Sequence, residues 1–198
     1  MWIKTKTEAF VLNLWARLLK LLILARWRLP LALSDEPSVL RFRAWPTDLD
    51  LSLHVNNGRY LTLMDLGRLD LMLRAGLWRA VLRHKWTPIA SNVLIRFRRE
   101  IRPFQAFRLE TRLVTWNATN VVMEQVFLLE GGPRDGQIAA RALFKGGLYD
   151  RSARSFVTIR RLMDEIGAEA EPPVATAEVA AFLAADDTLR GRGQGDRI

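Results

Sequence analysis

A chain of 198 residues has room for one ordinary domain with appendages, and 49% apolar content supplies a substantial core. The absence of cysteine removes disulfides, thiolate nucleophiles and cysteine-ligated zinc and suits a cytoplasmic protein, while two histidines, His54 and His84, are too few for a multi-histidine metal site. The net charge of +9 raises nucleic-acid binding, but the charge is segregated: residues 1–33 carry six Lys/Arg against Glu8, whereas residues 162–189 carry seven Asp/Glu and no Lys or Arg. No zinc-finger, helix-turn-helix or RNP-like motif accompanies it, so no nucleic-acid partner is expected.

The chain opens with a helical pattern over residues 8–33 that Pro30 stops. Phe10, Val11, Leu14, Trp15, Leu18, Leu21, Leu22 and Ala25 recur at helical spacing, with Asn13, Arg17 and Lys20 on the other side. Arg17 and Lys20 interrupt the run of about 20 apolar residues that a transmembrane span needs. The same interruption, with no small-residue cleavage site after it, argues against a signal peptide. Two roles stay open: a basic amphipathic helix lying peripherally on an anionic membrane surface, on the inner face of the membrane, or a helix packed on the domain or across a dimer.

A domain is expected over residues 39–163, with residues 1–38 as helix and linker before it. Residues 40–45 alternate as a strand and end at Pro46. Residues 47–60 then crowd Asp48, Asp50, Ser52, His54, Asn56 and Asn57 into one loop, immediately ahead of a helical pattern over 59–73 that is apolar around most of its circumference and so belongs inside a protein. Gly76 marks its end, with a short helix near 78–83. Beyond Trp86 the period becomes two: strands are expected at 89–101, 107–116, 120–130 and 137–150, with a hairpin turn at 117–119 and a Gly-rich turn at 131–136. The order is one strand, one buried helix and about four antiparallel strands, an α+β architecture. Residues 164–198 are acidic and Ala-rich, with a short helix near 177–185, and are expected to be a mobile tail.

The loop and the helix start together can aim backbone N–H donors and an acid/base group at one bound carbonyl. A helix start offers unpaired backbone N–H groups and partial positive charge for a developing oxyanion. That position falls at residues 57–59, where Gly58 permits close backbone approach. Asn56 or Asn57 is also a natural N-cap, a role that leaves other N–H groups free. On residue type alone Asp48 and Asp50 read as ordinary loop acids, though either could act as general base on water or as nucleophile; the resemblance given below selects Asp50. His54 suits proton transfer near neutrality or an orienting hydrogen bond. Asp65 is the runner-up acid, set against a plain ion pair with Arg68 three residues on. Arg96 and Arg98 share one strand face, as a solvated face or as a clamp for phosphates. His84 lies in a basic run and is expected to be solvated.

The wording Asp48-Leu49-Asp50 … His54-Val55-Asn56-Asn57 … Tyr60 closely resembles the active-site segment of hotdog-fold thioesterases acting on acyl-CoA or acyl-carrier-protein, in the 4-hydroxybenzoyl-CoA thioesterase-like superfamily. Arg41-Phe42-Arg43 and residues 111–116 are similar to the thioesterase-superfamily-member-six-like subgroup. The resemblance covers about residues 39–160. It implies a sheet wrapped around one long helix, Asp50, Ser52, His54 and Asn57 in catalysis, and Asn56, Gly58, Tyr60, Arg96 and Arg98 in substrate contact. Ser52 stands where the plant acyl-carrier-protein thioesterases have Asn. It further implies a homodimer or higher homo-oligomer, a place in fatty-acid metabolism, and no metal or resident cofactor, with coenzyme A or phosphopantetheine present only as part of the substrate. The alternative from another class is a non-catalytic acyl-thioester or lipid-binding protein held at a membrane surface.

Overall fold

The computed structural model describes residues 4–25, 27–28, 30–31, 36–168 and 171–195, without the side chains of 4–12 and 192–195. Arg26, positions 29 and 32–33 of the expected first helix, and 169–170 and 196–198 of the expected tail lie outside the described residues. The elements in chain order are α1 (Lys4–Ala25), β1 (Ser38–Arg43), α2 (Asn57–Arg74), α3 (Leu77–His84), β2 (Thr87–Phe97), β3 (Ala106–Trp116), β4 (Val121–Glu130), β5 (Ile138–Asp150), β6 (Ser155–Phe156), α4 (Ile159–Ile166) and α5 (Ala177–Gly195). The strands form one antiparallel sheet in the order β1-β3-β4-β5-β2, with β6 on β5.

Turn chemistry sets this order. Asn117 Oδ1 accepts from the N–H groups of Thr119 and Asn120, closing the β3–β4 hairpin as its sequence predicts. In the β4–β5 turn Gly131, Gly132 and Gly136 all take positive φ, and Gly131 N–H donates to Asp135. Gly76, at φ +78°, ends α2 and starts α3.

α2 crosses one face of the sheet. Tyr60, Leu63, Met64 and Leu66 pack against Phe107, Leu109, Phe127 and Leu129 of the alternating strands β3 and β4. Gly67 lets the helix come close: a Cβ there would lie 2.5 Å from Thr111 Oγ1 and 2.9 Å from Leu109 Cδ2. α3 and α4 form a second small core with Trp86, Leu148 and Val157.

The segment expected to be a mobile acidic tail is instead folded over its described part. The end of α4 packs Ile166 on the second core, with Ala168 after it, and α5 runs well past the short helix expected near 177–185. Val179 and Phe182 of α5 pack on Val122 and Leu143, on the sheet face opposite α2. The tail is acidic because this face is basic: Asp186 binds Lys145, and Glu178 binds Arg141 at 2.9 Å. Among the described residues the acidic tail thus pairs with the sheet and not with the basic head.

α1 packs on the domain through a mixed face, in which Leu14, Leu18 and Leu21 meet the core and Asn13 and Arg17 turn in beside them. Arg17 donates to Asp48 at 3.2 and 2.6 Å and to Arg43 O at 3.0 Å. Arg28, just past the helix, donates to Asp70 at 2.7 Å and to Val39 O at 2.8 Å. Leu21 is buried beside them, while Trp15, Leu19, Leu22 and Ile23 are exposed. Burying Asp48 and Asp70 is costly unless each is paired, and α1 supplies a guanidinium to both. Among the described residues, no helix is long and apolar enough to cross a membrane.

Candidate active site

The loop between β1 and α2 is held by its own backbone. An isolated antiparallel bridge joins Leu49 to Val55, and Asp50 N–H donates to His54 O at 2.9 Å. Leu53 N–H donates to Asp50 O at 3.1 Å, which requires the left-handed φ of +59° at Leu53, an uncommon conformation for a branched side chain. Val55 N–H reaches Ile101 O and Asn56 N–H reaches Asp48 O, tying the loop to the body.

The two aspartates of the Asp-x-Asp pair differ completely. Asp48 is 1% exposed, and its carboxylate meets Arg17, Arg59, the Asn13 amide and the Trp45 backbone N–H. Burial lowers the pKa of Arg59 from its ordinary value, against the opposing pull of Asp48. Asp50 is exposed, and among the described residues its carboxylate accepts only the Ser52 N–H, at 2.9 Å. The Ser52 hydroxyl and the half-buried His54 ring have no hydrogen-bond partner among the described residues.

The start of α2 lies next in the chain. Asn56 is the N-cap, its side chain accepting from Gly58 N–H at 2.8 Å, while Arg59 N–H donates to Asn56 O at 2.8 Å. Two of the three N–H groups at 57–59 are thereby used. The Asn57 N–H is left without a partner among the described residues, at the positive end of an 18-residue helix. Asp50, Ser52, His54, Asn56, Asn57 and Gly58 thus share one short loop and helix start.

The other expected site residues lie elsewhere. Tyr60, expected in substrate contact, is a core residue at 3% exposure, edge-on to Phe97 and Phe127. Burial, followed by the charge of Glu100, pushes its pKa up to about 12. Arg96 pairs in register with Arg141, and Arg96 and Arg98 line the α5 side of the sheet, whereas Val93 and Ile95 face α2. Within one protomer the sheet therefore separates these arginines from the loop. His84 is not a solvated side chain: it stacks on Trp86 and lies 2.6 Å from Glu165. Among the described residues no cluster of three His, Asp or Glu could hold a metal ion.

A cavity of about 330 Å3 lies farther along α2, lined by Leu69, Met72, Trp78, Ile89, Met123 and Phe144, with Asp65 and Arg68 in its wall. Arg68 binds Asp65, as the spacing predicts, but also Gln125 Oε1 at 2.7 Å. Gln125 uses both amide hydrogens on Met64 O and Thr111 Oγ1, so its orientation is set. Sequence reasoning missed this cavity. The available signal was a glutamine in the inward register of an otherwise apolar strand.

Residues 44–184 match the family model described as the thioesterase-like superfamily. The chain belongs to that superfamily. It is similar to the protein THEM6 of Danio rerio, with 36% identity over 110 residues, 56% of this chain and 53% of that one. The match thus spans about half the length of this relative. The fold is that of 4-hydroxybenzoyl-CoA thioesterase from Pseudomonas sp. strain CBS-3, at TM-score 0.58 and 15% identity over 66% of this chain and 99% of that one. It is also that of the YbaW probable thioesterase from Escherichia coli, at TM-score 0.59 and 23% identity over 65% and 96%. The hotdog architecture implied by the sequence resemblance is therefore the observed one.

Proposed function

We propose that this chain hydrolyses an acyl thioester carried on coenzyme A or phosphopantetheine, with Asp50 as the general base. The carrying observation is the contrast within the loop: an exposed Asp50 carboxylate on a hydrogen-bonded turn, seven residues before an unused N–H at the start of a buried helix. Asp50 removes a proton from water, the water oxygen attacks the thioester carbon, and the carbonyl oxygen takes up negative charge against the Asn57 N–H. Collapse breaks the C–S bond, and the proton taken up by Asp50 goes to the leaving thiolate, a transfer for which an imidazole such as His54 is chemically suited. Membership of the superfamily and the hotdog fold support this reading.

The test is thiol release from short, long and aromatic acyl-CoAs, with Asp50→Asn in parallel. Asp50→Asn is expected to lower kcat/KM by about 10²–10⁴-fold without moving the unfolding midpoint. Single-turnover hydrolysis in 18O-water tests for a nucleophile: label found in Asp50 would show a mixed anhydride opened by water at the Asp50 carbonyl carbon. Acyl-CoA that binds but is never cleaved would replace the enzyme by the acyl-thioester-binding alternative.

Two surfaces support an assembled, membrane-associated enzyme. Leu51 and Leu53 project from the loop tip, and β2 is an edge strand exposing Ile89, Leu94 and Phe97, the kind of edge that pairs with another chain. We read these as the contacts of a homodimer, to be checked by sedimentation with Leu53→Lys. The exposed Trp15, Leu19, Leu22 and Ile23 with Lys20 give α1 an outer face suited to a peripheral place on anionic lipid. Trp15→Ser with Leu19→Ser should weaken sedimentation with anionic vesicles several-fold, while an unchanged bound fraction would leave that face to a partner chain.

A further inference from the structure

The cavity beside Arg68 contains a charge that the proposed hydrolysis does not use. The Arg68 side chain is 13% exposed, whereas its ion-pair partner Asp65 is 71% exposed. A guanidinium held out of water needs an anion in the same environment to offset its desolvation, and a carboxylate that lies largely in water offers only a screened one. The guanidinium is also held in place. It lies 4.0 Å from the centre of the Phe144 ring and bonds the fixed Gln125 amide at 2.7 Å. Gly67 lets α2 approach the strands that carry Gln125 and Thr111. Of the five N–H donors of an arginine, the described partners take two, one of them through the exposed Asp65. The rest of the cavity wall is apolar, from Leu69, Met72, Trp78, Ile89 and Met123.

We propose that this cavity binds a compact organic carboxylate, its apolar body among Met72, Trp78 and Phe144 and its carboxylate on Arg68 in place of Asp65. The forked guanidinium matches a carboxylate in a bidentate pair, and exclusion from water strengthens that pair relative to the exposed one it displaces. The volume of about 330 Å3 is at the small end of the roughly 300–1,000 Å3 range of small-molecule sites, which selects a short aliphatic or single-ring acid over a long chain. Two sources offer this chemistry: the free acid left by thioester hydrolysis, or a carboxylate at the far end of a dicarboxylic acyl group.

Calorimetric titration of the full chain bearing Asp50→Asn, with benzoate and hexanoate against benzamide and hexanamide, tests binding apart from turnover. The acids are expected to bind at least ten-fold more tightly than the amides. Arg68→Gln removes that preference. Asp65→Asn, which deletes only the competing anion, raises acid affinity several-fold, an effect that a merely structural ion pair would not show. Equal affinity for acids and amides, or acid binding that Asp65→Asn leaves unchanged or weakens, overturns the proposal. With Asp50 restored, a kcat/KM loss in Arg68→Gln confined to adipoyl-CoA and absent for hexanoyl-CoA assigns the site to a distal carboxylate. Loss of competitive inhibition by free acid, with turnover of both thioesters intact, assigns it to the product. Because the binding arm needs no hydrolysis, its outcome is independent of whether Asp50 is the base.

Discussion

The floor and the tip of the loop between β1 and α2 each hold one aspartate of the same tripeptide, and they have opposite fates. At the floor, Asp48 is buried against Arg17, Arg59, Asn13 and the Trp45 backbone, so every oxygen is engaged. At the tip, Asp50 faces out and accepts a single backbone N–H. A carboxylate whose two oxygens are both engaged by buried donors has no lone pair open to a bound substrate or water. One with free lone pairs can take a proton or attack. The difference ties Asp48 to structure and leaves Asp50 open for the role proposed for it.

The strongest way to break this comparison is at the floor. Asp48→Ala leaves Arg17 and Arg59 without their shared anion and should cost about 3–5 kcal/mol in chemical denaturation. A loss below about 1 kcal/mol would mean that the buried network contributes little. At the tip the same measurement on Asp50→Asn should stay within about 0.5 kcal/mol, as for surface changes, while activity falls as stated above. Ser52→Ala is the smallest change: its backbone N–H still holds Asp50, so kcat/KM should drop less than about three-fold. A loss as large as that of Asp50→Asn would give the hydroxyl a direct part in the reaction.

Much of the fold was legible because its signals are local. The Asn117 turn, the Gly-rich 131–136 turn and the two-residue period of β3–β5 each sit within a few positions of what they specify. The capping asparagine and its free N–H neighbour were readable for the same reason. What stayed hidden depends on partners far along the chain. Nothing near Asp48 distinguishes it from Asp50, since its buried partners come from positions 17 and 59. The tail looked mobile because Glu178 and Asp186 find Arg141 and Lys145 only after the sheet has formed. α1 follows the same logic: Leu14, Leu18 and Leu21 make the apolar contact its pattern predicts, but two buried carboxylates far along the chain also draw in Arg17 and, after the helix, Arg28.

The seating of α1 has a practical consequence for anyone shortening the protein. Residues 1–37 resemble a dispensable leader, and trimming them would remove an apolar surface that invites aggregation. The cut would also take Arg17, one of the two guanidinium partners of Asp48, and Arg28, the ion-pair partner of Asp70. A domain trimmed in that way would keep Arg59 on Asp48 and the Ser38 hydroxyl on Asp70, but would bury both acids with less charge compensation beneath the loop and the central helix. An inactive fragment would then report on the excision and not on the enzyme.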